Sequence, residues 1–216
     1  MKMLPVMAMA LSIGAITPAK AEGINDARSE NIGTQVTVEG YVTVPSGKFT
    51  GSSFDQGFAI QDSAAGIYVS VASNPALTLN QRVIVTGTLS SSFNQLMLSA
   101  DAADVQTLGG AKHIKPTAFN TGDINNHSEG LLVNVKGTVT SNPIDDLPYG
   151  WKFNMDDGSG EITIFIPSTV NLNPFNVPWL VPGQTVSLSG LSSEFDDHFE
   201  INPRHRGDLV KIGAGD

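Results

Sequence analysis

One segment of the sequence places two aromatic rings and a positive charge within four residues, from Tyr149 to Lys152. Tyr149 and Trp151 could stack on flat rings of a ligand, and Lys152 could pair with an anionic group such as phosphate. A loop that packs across the end of a domain would have the same composition. The segment therefore indicates either ligand contact or local packing.

A second set of candidates lies in the first half of the chain, where an aromatic and basic segment recurs. Lys48, Phe49 and Phe54 share one predicted loop, Tyr68 lies on a predicted strand, and Phe93 is at the tip of a later loop. Phe195 is in the corresponding loop of the second half. Other phenylalanines occupy alternating strand positions and are predicted to be core residues: Phe58, Phe153, Phe165 and Phe199.

The basic residues cluster at one place only, Arg204 to Arg206. Guanidinium groups there could bind a phosphate or an acidic peptide. Salt bridges to Glu200 or Asp208 would explain the same residues without a ligand. We include Arg204 and Arg206 among the predicted ligand-binding residues.

Enzyme chemistry finds little support in the sequence. There is no cysteine, which excludes thiol catalysis, thiolate metal sites and disulfides. The four histidines are scattered, and the closest metal-like cluster, residues 196–198, is predicted to be a solvated loop. The serine runs lack a nucleophile-elbow motif. We therefore expect no catalytic residues, no metal and no cofactor.

The beginning of the chain has the features of a signal peptide. Lys2 precedes an apolar run that is too short to span a bilayer, and Ala19-Lys20-Ala21 fits a signal-peptidase site. Cleavage is predicted between Ala21 and Glu22, which gives a periplasmic or secreted monomer without a membrane span. The formal net charge is −9, so the whole-protein field repels polyphosphates.

The chain contains one internal repeat, with counterparts 95 to 103 residues apart. Residues 36–42, 58–71, 81–87 and 96–98 match residues 133–139, 153–166, 184–190 and 199–201. The change in spacing places an eight-residue insertion within residues 171–182 of the second copy. Its apolar segment, residues 179–182, is predicted to pack between the two copies, with an exposed partner site as the alternative.

Each copy alternates apolar and polar residues over five short runs, which predicts five antiparallel strands. The fold class is therefore all-β, as two tandem five-stranded Greek-key barrels of the OB-like type, with a small β-sandwich as the alternative. Short turns at residues 62–66 and 156–160 join the second and third strands. The predicted organisation is a signal peptide (1–21), barrel 1 (22–108), a connector (109–129), barrel 2 (130–212) and a tail (213–216).

Particular stretches resemble the OB-fold modules of secreted bacterial nucleases. Residues 58–62 and 66–69, which read FAIQD and GIYV, resemble the strand-turn-strand signature of that family, and residues 202–209 resemble its closing segment. The resemblance implies nucleic-acid binding beside extracytoplasmic nucleases, but the chain ends where their catalytic domain would start. We expect single-stranded nucleic acid as the ligand, and a protein or glycan ligand is the alternative that the negative charge favours.

Overall fold

The computed structural model describes residues 20–49 and 55–213. The predicted signal peptide lies outside these residues except for its last two positions, and Phe54 of the predicted ligand set lies outside them as well. Among the helices in the described part, none combines the length and apolar character that a membrane crossing needs.

The first half of the chain forms a six-stranded sheet, because short runs of Val, Ile and Phe alternate with polar residues. We call residues 24–111 the first module. Its elements are α1 (Ile24–Arg28), β1 (Gln35–Val44), β2 (Phe58–Gln61), β3 (Gly66–Ser70), β4 (Gln81–Ser92), β5 (Gln95–Ser99), a 3-10 helix (Ala102–Asp104) and β6 (Val105–Ala111).

Five strands of the first module close into a barrel. They pair in the order β1-β2-β3-β5-β4, and β4 pairs back with β1 from Gln35 opposite Thr88 to Tyr41 opposite Arg82. β3 and β5 are parallel, while the other neighbours are antiparallel. A closed five-stranded barrel of this kind is the OB-like architecture, so the predicted all-β, OB-like fold is confirmed for this module.

The second half of the chain, residues 117–211, is called the second module. Its strands are β7 (Thr117–Ala118), β8 (Leu132–Val139), β9 (Ile144–Asp146), β10 (Gly150–Asp156), β11 (Ile162–Pro167), β12 (Thr185–Phe195), β13 (His198–Asn202) and β14 (Leu209–Lys211). Short 3-10 helices cover Thr121–Asp123, Ser168–Val170, Pro174–Asn176 and Arg206–Asp208. The strands pair as β8-β10-β11-β13-β12, with β12 returning to β8, so the cycle of pairings repeats.

An aspartate in the β2–β3 turn of the first module and one in the β10–β11 turn of the second module each anchor a helical turn, which precedes β1 and β8 respectively. Asp62 accepts hydrogen bonds from the backbone N–H of Ile24 (2.9 Å) and Ala64 (2.7 Å). Asp157 accepts from the backbone N–H (3.1 Å) and hydroxyl (2.8 Å) of Thr121. The prediction that residues 62–66 and 156–160 are turns is confirmed, and the aspartates satisfy backbone donors that no strand partner would reach.

Each module has its own hydrophobic core, formed by the inward-facing residues of its strands. The insertion in the second module adds to its core, since Leu180 is buried there and Trp179 packs against it. The prediction that residues 179–182 pack between the two copies is therefore wrong. These side chains cover the second barrel itself, because the longer chain between β11 and β12 folds back over its own apolar end.

The two modules contact each other through a polar and tightly packed seam. Arg28 and Glu129 form a buried ion pair at 2.9 Å, and Glu129 also accepts a hydrogen bond from the backbone N–H of Leu96 (2.7 Å). Burial raises the pKa of the Glu129 carboxyl, and Arg28 opposes that rise. Gly66 and Gly130 approach so closely that a Cβ on Gly66 would lie 2.0 Å from the Gly130 carbonyl oxygen.

Candidate ligand-binding cavity

A cavity of about 500 Å³ lies where the sheet of the second module faces the first module. Its floor consists of side chains from β10, β11 and β13. Its walls come from the β4–β5 turn, the β12–β13 turn and the segment that precedes β10. Cavities of this volume suit a small molecule or a short section of an oligomer.

The alternation of β10 and β11 determines which side chains form the floor. Trp151 and Phe153 point into the core of the second module, so Lys152 between them points out. On β11, Ile164 is buried in the same core, so Phe165 points out. Lys152 and Phe165 are opposite each other in the antiparallel register and both line the cavity. The outward face of the second and third strands is the ligand surface of OB-folds.

Two loop aromatics form one wall of the cavity by stacking across the module boundary. The rings of Phe93 and Phe195 are nearly parallel, 11° apart, with centroids separated by 4.9 Å. The turns are also joined by the backbone N–H of Asp196, which donates to the carbonyl of Phe93 at 2.8 Å. Phe93 is 47% exposed and Phe195 is 38% exposed, so both rings still present surface to a ligand.

Glu200 on β13 is the most constrained charged group of the cavity. Its Oε1 accepts hydrogen bonds from the Asn202 amide (2.9 Å) and the Ser193 hydroxyl (3.4 Å). Burial raises the pKa of the Glu200 carboxyl, and the nearby His198 and Lys152 lower it by a smaller amount. The carboxylate is thus held in place by neutral donors in a setting that solvates its charge poorly.

The first module closes the cavity on one side with residues that are already packed. Phe49 and Tyr68 are 5% and 3% exposed and form a small apolar cluster with Met97 and with Leu191 of the second module. The Tyr68 hydroxyl donates to the buried Asp55 at 2.6 Å. Phe49 and Leu191 therefore pack against the outward face of β2 and β3, and these side chains leave a ligand little surface.

Four other predicted ligand residues do not line this cavity: Lys48, Trp151, Arg206 and Arg204. Lys48 is exposed, and its carbonyl accepts a hydrogen bond from the Thr169 hydroxyl. Trp151 is 9% exposed within the core of the second module. Arg206 is exposed on a 3-10 helix away from the cavity lining.

Arg204 is occupied by contacts within the protein. Its guanidinium pairs with Asp208 through hydrogen bonds of 2.9 Å and 2.8 Å and donates to the carbonyl of Thr43 in the first module at 3.0 Å. The salt-bridge interpretation of the basic cluster therefore describes Arg204. The structure brings together five of the ten predicted residues at the cavity: Phe49, Tyr68, Phe93, Tyr149 and Lys152.

Phe165 and Glu200 line the cavity but were not among the predicted ligand-binding residues. Phe165 was predicted to be core, but it is out of phase with Ile162 and Ile164, which are the buried positions of β11. The same alternation of buried and outward positions places Trp151 in the core. The alternation along the strands therefore indicated the positions of both Phe165 and Trp151. The alternation did not predict that Glu200 lies at the cavity, because this position depends on how the two modules face each other.

The alternative of a metal site at residues 196–198 has no geometric support. Across residues 20–49 and 55–213, no three histidine or carboxylate side chains come together in a way that could hold a metal ion. His198 instead lies 3.4 Å from the neighbouring carboxylate of Asp197 and edge-on to the Phe195 ring, with centroids 6.0 Å apart.

Comparison with known proteins adds no function to this geometry. No family model matches the chain, and no curated protein matches it. Among solved structures, the chain is similar to the OBody AM1L10 bound to hen egg-white lysozyme, with 20% identity and a TM-score of 0.37 over 48% of this chain and 99% of that one. This similarity spans about one module.

Longer similarities cover both modules at lower identity. A murine DNA-binding protein bound with double-stranded DNA shares 9% identity over 83% of this chain and 98% of that one, with a TM-score of 0.41. The p204 HINb domain shares 12% identity over 83% and 96%, with a TM-score of 0.37. Scores of this size do not establish a shared fold, so the OB-like assignment depends on the strand order and closure described above.

Proposed function

We propose that this chain is a non-catalytic saccharide-binding protein built from two tandem OB-like barrels. The observation that carries the proposal is the cavity on the outward face of β10 and β11, where Lys152 and Phe165 lie side by side beneath the Phe93–Phe195 wall. OB-folds bind oligosaccharides and oligonucleotides on this face.

The composition of the cavity favours a sugar over a nucleic acid. The aromatic rings of Phe93, Tyr149 and Phe165 offer flat apolar surfaces, while Glu200 and Asn202 offer an acceptor and an amide. A few polar groups among apolar walls fix the orientation of a small ligand. A sugar ring has apolar faces and a rim of hydroxyls, and so it can use both kinds of group.

Charge disfavours a polyphosphate at the same place. Three carboxylates line the cavity, those of Asp146, Glu194 and Glu200, against one lysine, Lys152. The chain as a whole carries a formal charge of −9. Phosphate binding depends on neutralising positive groups, so this field works against it.

Single-stranded nucleic acid is the second candidate, because the exposed rings of Phe93 and Tyr149 beside Lys152 form the combination on which bases stack. Action beside an extracytoplasmic nuclease belongs to this second candidate.

Export as a monomer is also part of the proposal. It is supported by the signal-peptide pattern that ends at Ala21. Purification of the protein from the periplasm and the medium of an expressing bacterium, followed by N-terminal sequencing, tests this point. A chain that begins at Glu22 supports export, and an uncleaved cytoplasmic chain contradicts it.

The binding proposal is tested by calorimetric titration with three oligomers: cellotetraose, tetra-N-acetylglucosamine and a thirty-nucleotide single strand. We expect at least one saccharide to bind with an affinity that changes little between low and moderate salt. Phe165→Ala should weaken that binding about tenfold by removing a stacking surface.

The matched control is Phe175→Ala, which removes an exposed ring from the insertion, away from the cavity. Saccharide affinity should be unchanged in this control. Binding of the nucleic acid alone, with a steep loss between the two salt concentrations, would favour the second candidate. Absence of binding by all three oligomers and by tetraglucosamine would overturn the proposal.

A further inference from the structure

The cavity holds more negative charge than the protein itself balances. Lys152 already lies 3.6 Å from the carboxylate of Asp146, so its charge is shared with that neighbour. Among the residues that the structure describes, neither Glu194 nor Glu200 forms an ion pair. Both carboxylates on the cavity surface therefore lack a cation at salt-bridge distance, and Glu200 feels only the more distant charges of His198 and Lys152.

Glu200 is the more informative of the two, because it is fixed. The neutral donors Asn202 and Ser193 hold its Oε1, while Oε2 accepts no hydrogen bond from the described residues. The Glu200 side chain is only partly exposed, and its burial raises the pKa of the carboxyl. A charged donor from a ligand would restore the lost solvation, and hydrogen bonds to charged groups are stronger than neutral ones.

The aromatic walls point to the same ligand chemistry. Phe93 and Phe195 cover one face of each other by stacking but keep part of their surface exposed at the wall, and Phe165 lies on the floor. The π-face of an aromatic ring is negative and attracts cations such as an ammonium group. Aromatic faces beside a carboxylate thus favour a positively charged group over a neutral one.

We propose that the cavity selects a saccharide that carries a primary ammonium, which means an amino sugar with a free amine, and that Glu200 is the group that pairs with this ammonium. This inference rests on the proposed saccharide-binding function. It explains why a site on an OB ligand face contains carboxylates, and why its single lysine is drawn toward Asp146.

The test compares three tetrasaccharides that differ at one ring position: tetraglucosamine, tetra-N-acetylglucosamine and cellotetraose. Each is titrated calorimetrically into the mature protein at a pH where the free amine is charged. Tetraglucosamine should bind about tenfold more tightly than cellotetraose, as expected for one charge-assisted hydrogen bond in a poorly solvated site. The preference should disappear at a higher pH where the amine is neutral.

Two variants assign the preference to Glu200. Glu200→Gln keeps the shape and the Asn202 contact but removes the charge, so it should bind tetraglucosamine and cellotetraose equally. Glu30→Gln removes an exposed charge of the first module and should keep the full preference. Lys152→Met removes the competing cation and should increase the preference, which provides a second test if Glu200→Gln does not fold.

The outcomes separate this inference from the function on which it rests. Equal binding of all three saccharides would overturn the ammonium inference and leave the saccharide-binding function standing. Absence of binding by all three would overturn both. A preference that survives Glu200→Gln in the folded variant would remove Glu200 from the recognition of the amine.

Discussion

The outward faces of the second and third strands are equivalent in the two modules, but they have opposite surroundings. In the first module, Tyr68 on β3 lies beside Met97 on β5, and both are buried against Leu191 of the second module. In the second module, Thr163 on β11 lies beside Glu200 on β13, at the edge of an open cavity. One OB ligand face has become an interface, while the other remains available.

The two faces differ in the side chains at matching positions, where Met97 in the first module corresponds to Glu200 in the second. The same cycle of pairings joins five strands in each module. The apolar side chain of Met97 favours packing of its face against another surface, because burying this side chain removes apolar area from water. A carboxylate at the position of Glu200 opposes such burial, because desolvating a charge without a cation is costly.

The largest expected effect separates the core of the second module from its cavity. Trp151→Ala should lower the free energy of unfolding by about 3–5 kcal/mol, because it removes a large buried ring. The exposed Phe175→Ala should change it by less than about 0.5 kcal/mol. Urea denaturation measures both. If the Trp151→Ala protein were as stable as the unmodified protein but bound ligand more weakly, Trp151 would be a binding-site residue and not a core residue.

A smaller effect is expected at the seam that covers the face of the first module. Gly66→Ala places a Cβ 2.0 Å from the backbone oxygen of Gly130, so the modules must shift apart, at a cost of about 1–3 kcal/mol. Gly109→Ala meets nothing within 4 Å and should be neutral. Thermal unfolding and limited proteolysis compare the two variants. Equal stability would show that the first face is covered only loosely.

The smallest effect concerns the aspartates that anchor the two helical turns. Hydrogen bonds from the Ser159 hydroxyl, and then from the Ser159 backbone and Thr121, lower the pKa of Asp157 to about 2. A carboxyl whose pKa is lowered on folding stabilises the fold above its unfolded pKa. That stabilisation is lost as the pH falls from about 4 toward about 2.

Asp157→Asn should therefore flatten the dependence of stability on pH in this acid range. The size should be small, because Asp157 is exposed. Denaturation midpoints at several pH values provide the measurement, with Asp123→Asn on the exposed neighbouring 3-10 helix as the control. An unchanged acid profile in Asp157→Asn would mean that the turn does not depend on the ionised carboxyl.

Much of the fold could be predicted because alternation and repetition are local signals. The strand runs and the turns at residues 62–66 and 156–160 follow from the residues in each segment. The strands added to the five predicted in each copy, β6, β7, β9 and β14, were not predicted, because their runs are short, polar or rich in glycine. Pairing with a neighbour, and not propensity, stabilises them.

The candidate site was less accessible to sequence reasoning. Strict use of alternation would have assigned Trp151 to the core and Phe165 to the surface. By contrast, the covering of Tyr68 and the setting of Glu200 depend on which faces of the two modules meet. That choice is made by contacts between residues far apart in the chain, such as the Arg28–Glu129 ion pair, and no local pattern contains it.

The central claim is that only the second module's face receives ligand. The most direct measurement is backbone amide chemical-shift mapping of the ¹⁵N-labelled protein during titration with tetraglucosamine. The largest changes are predicted at Lys152, Phe165 and Asn202, with little change on β1 and β6 of the first module. Saturable changes centred on those first-module strands, with none at the three cavity residues, would contradict the account.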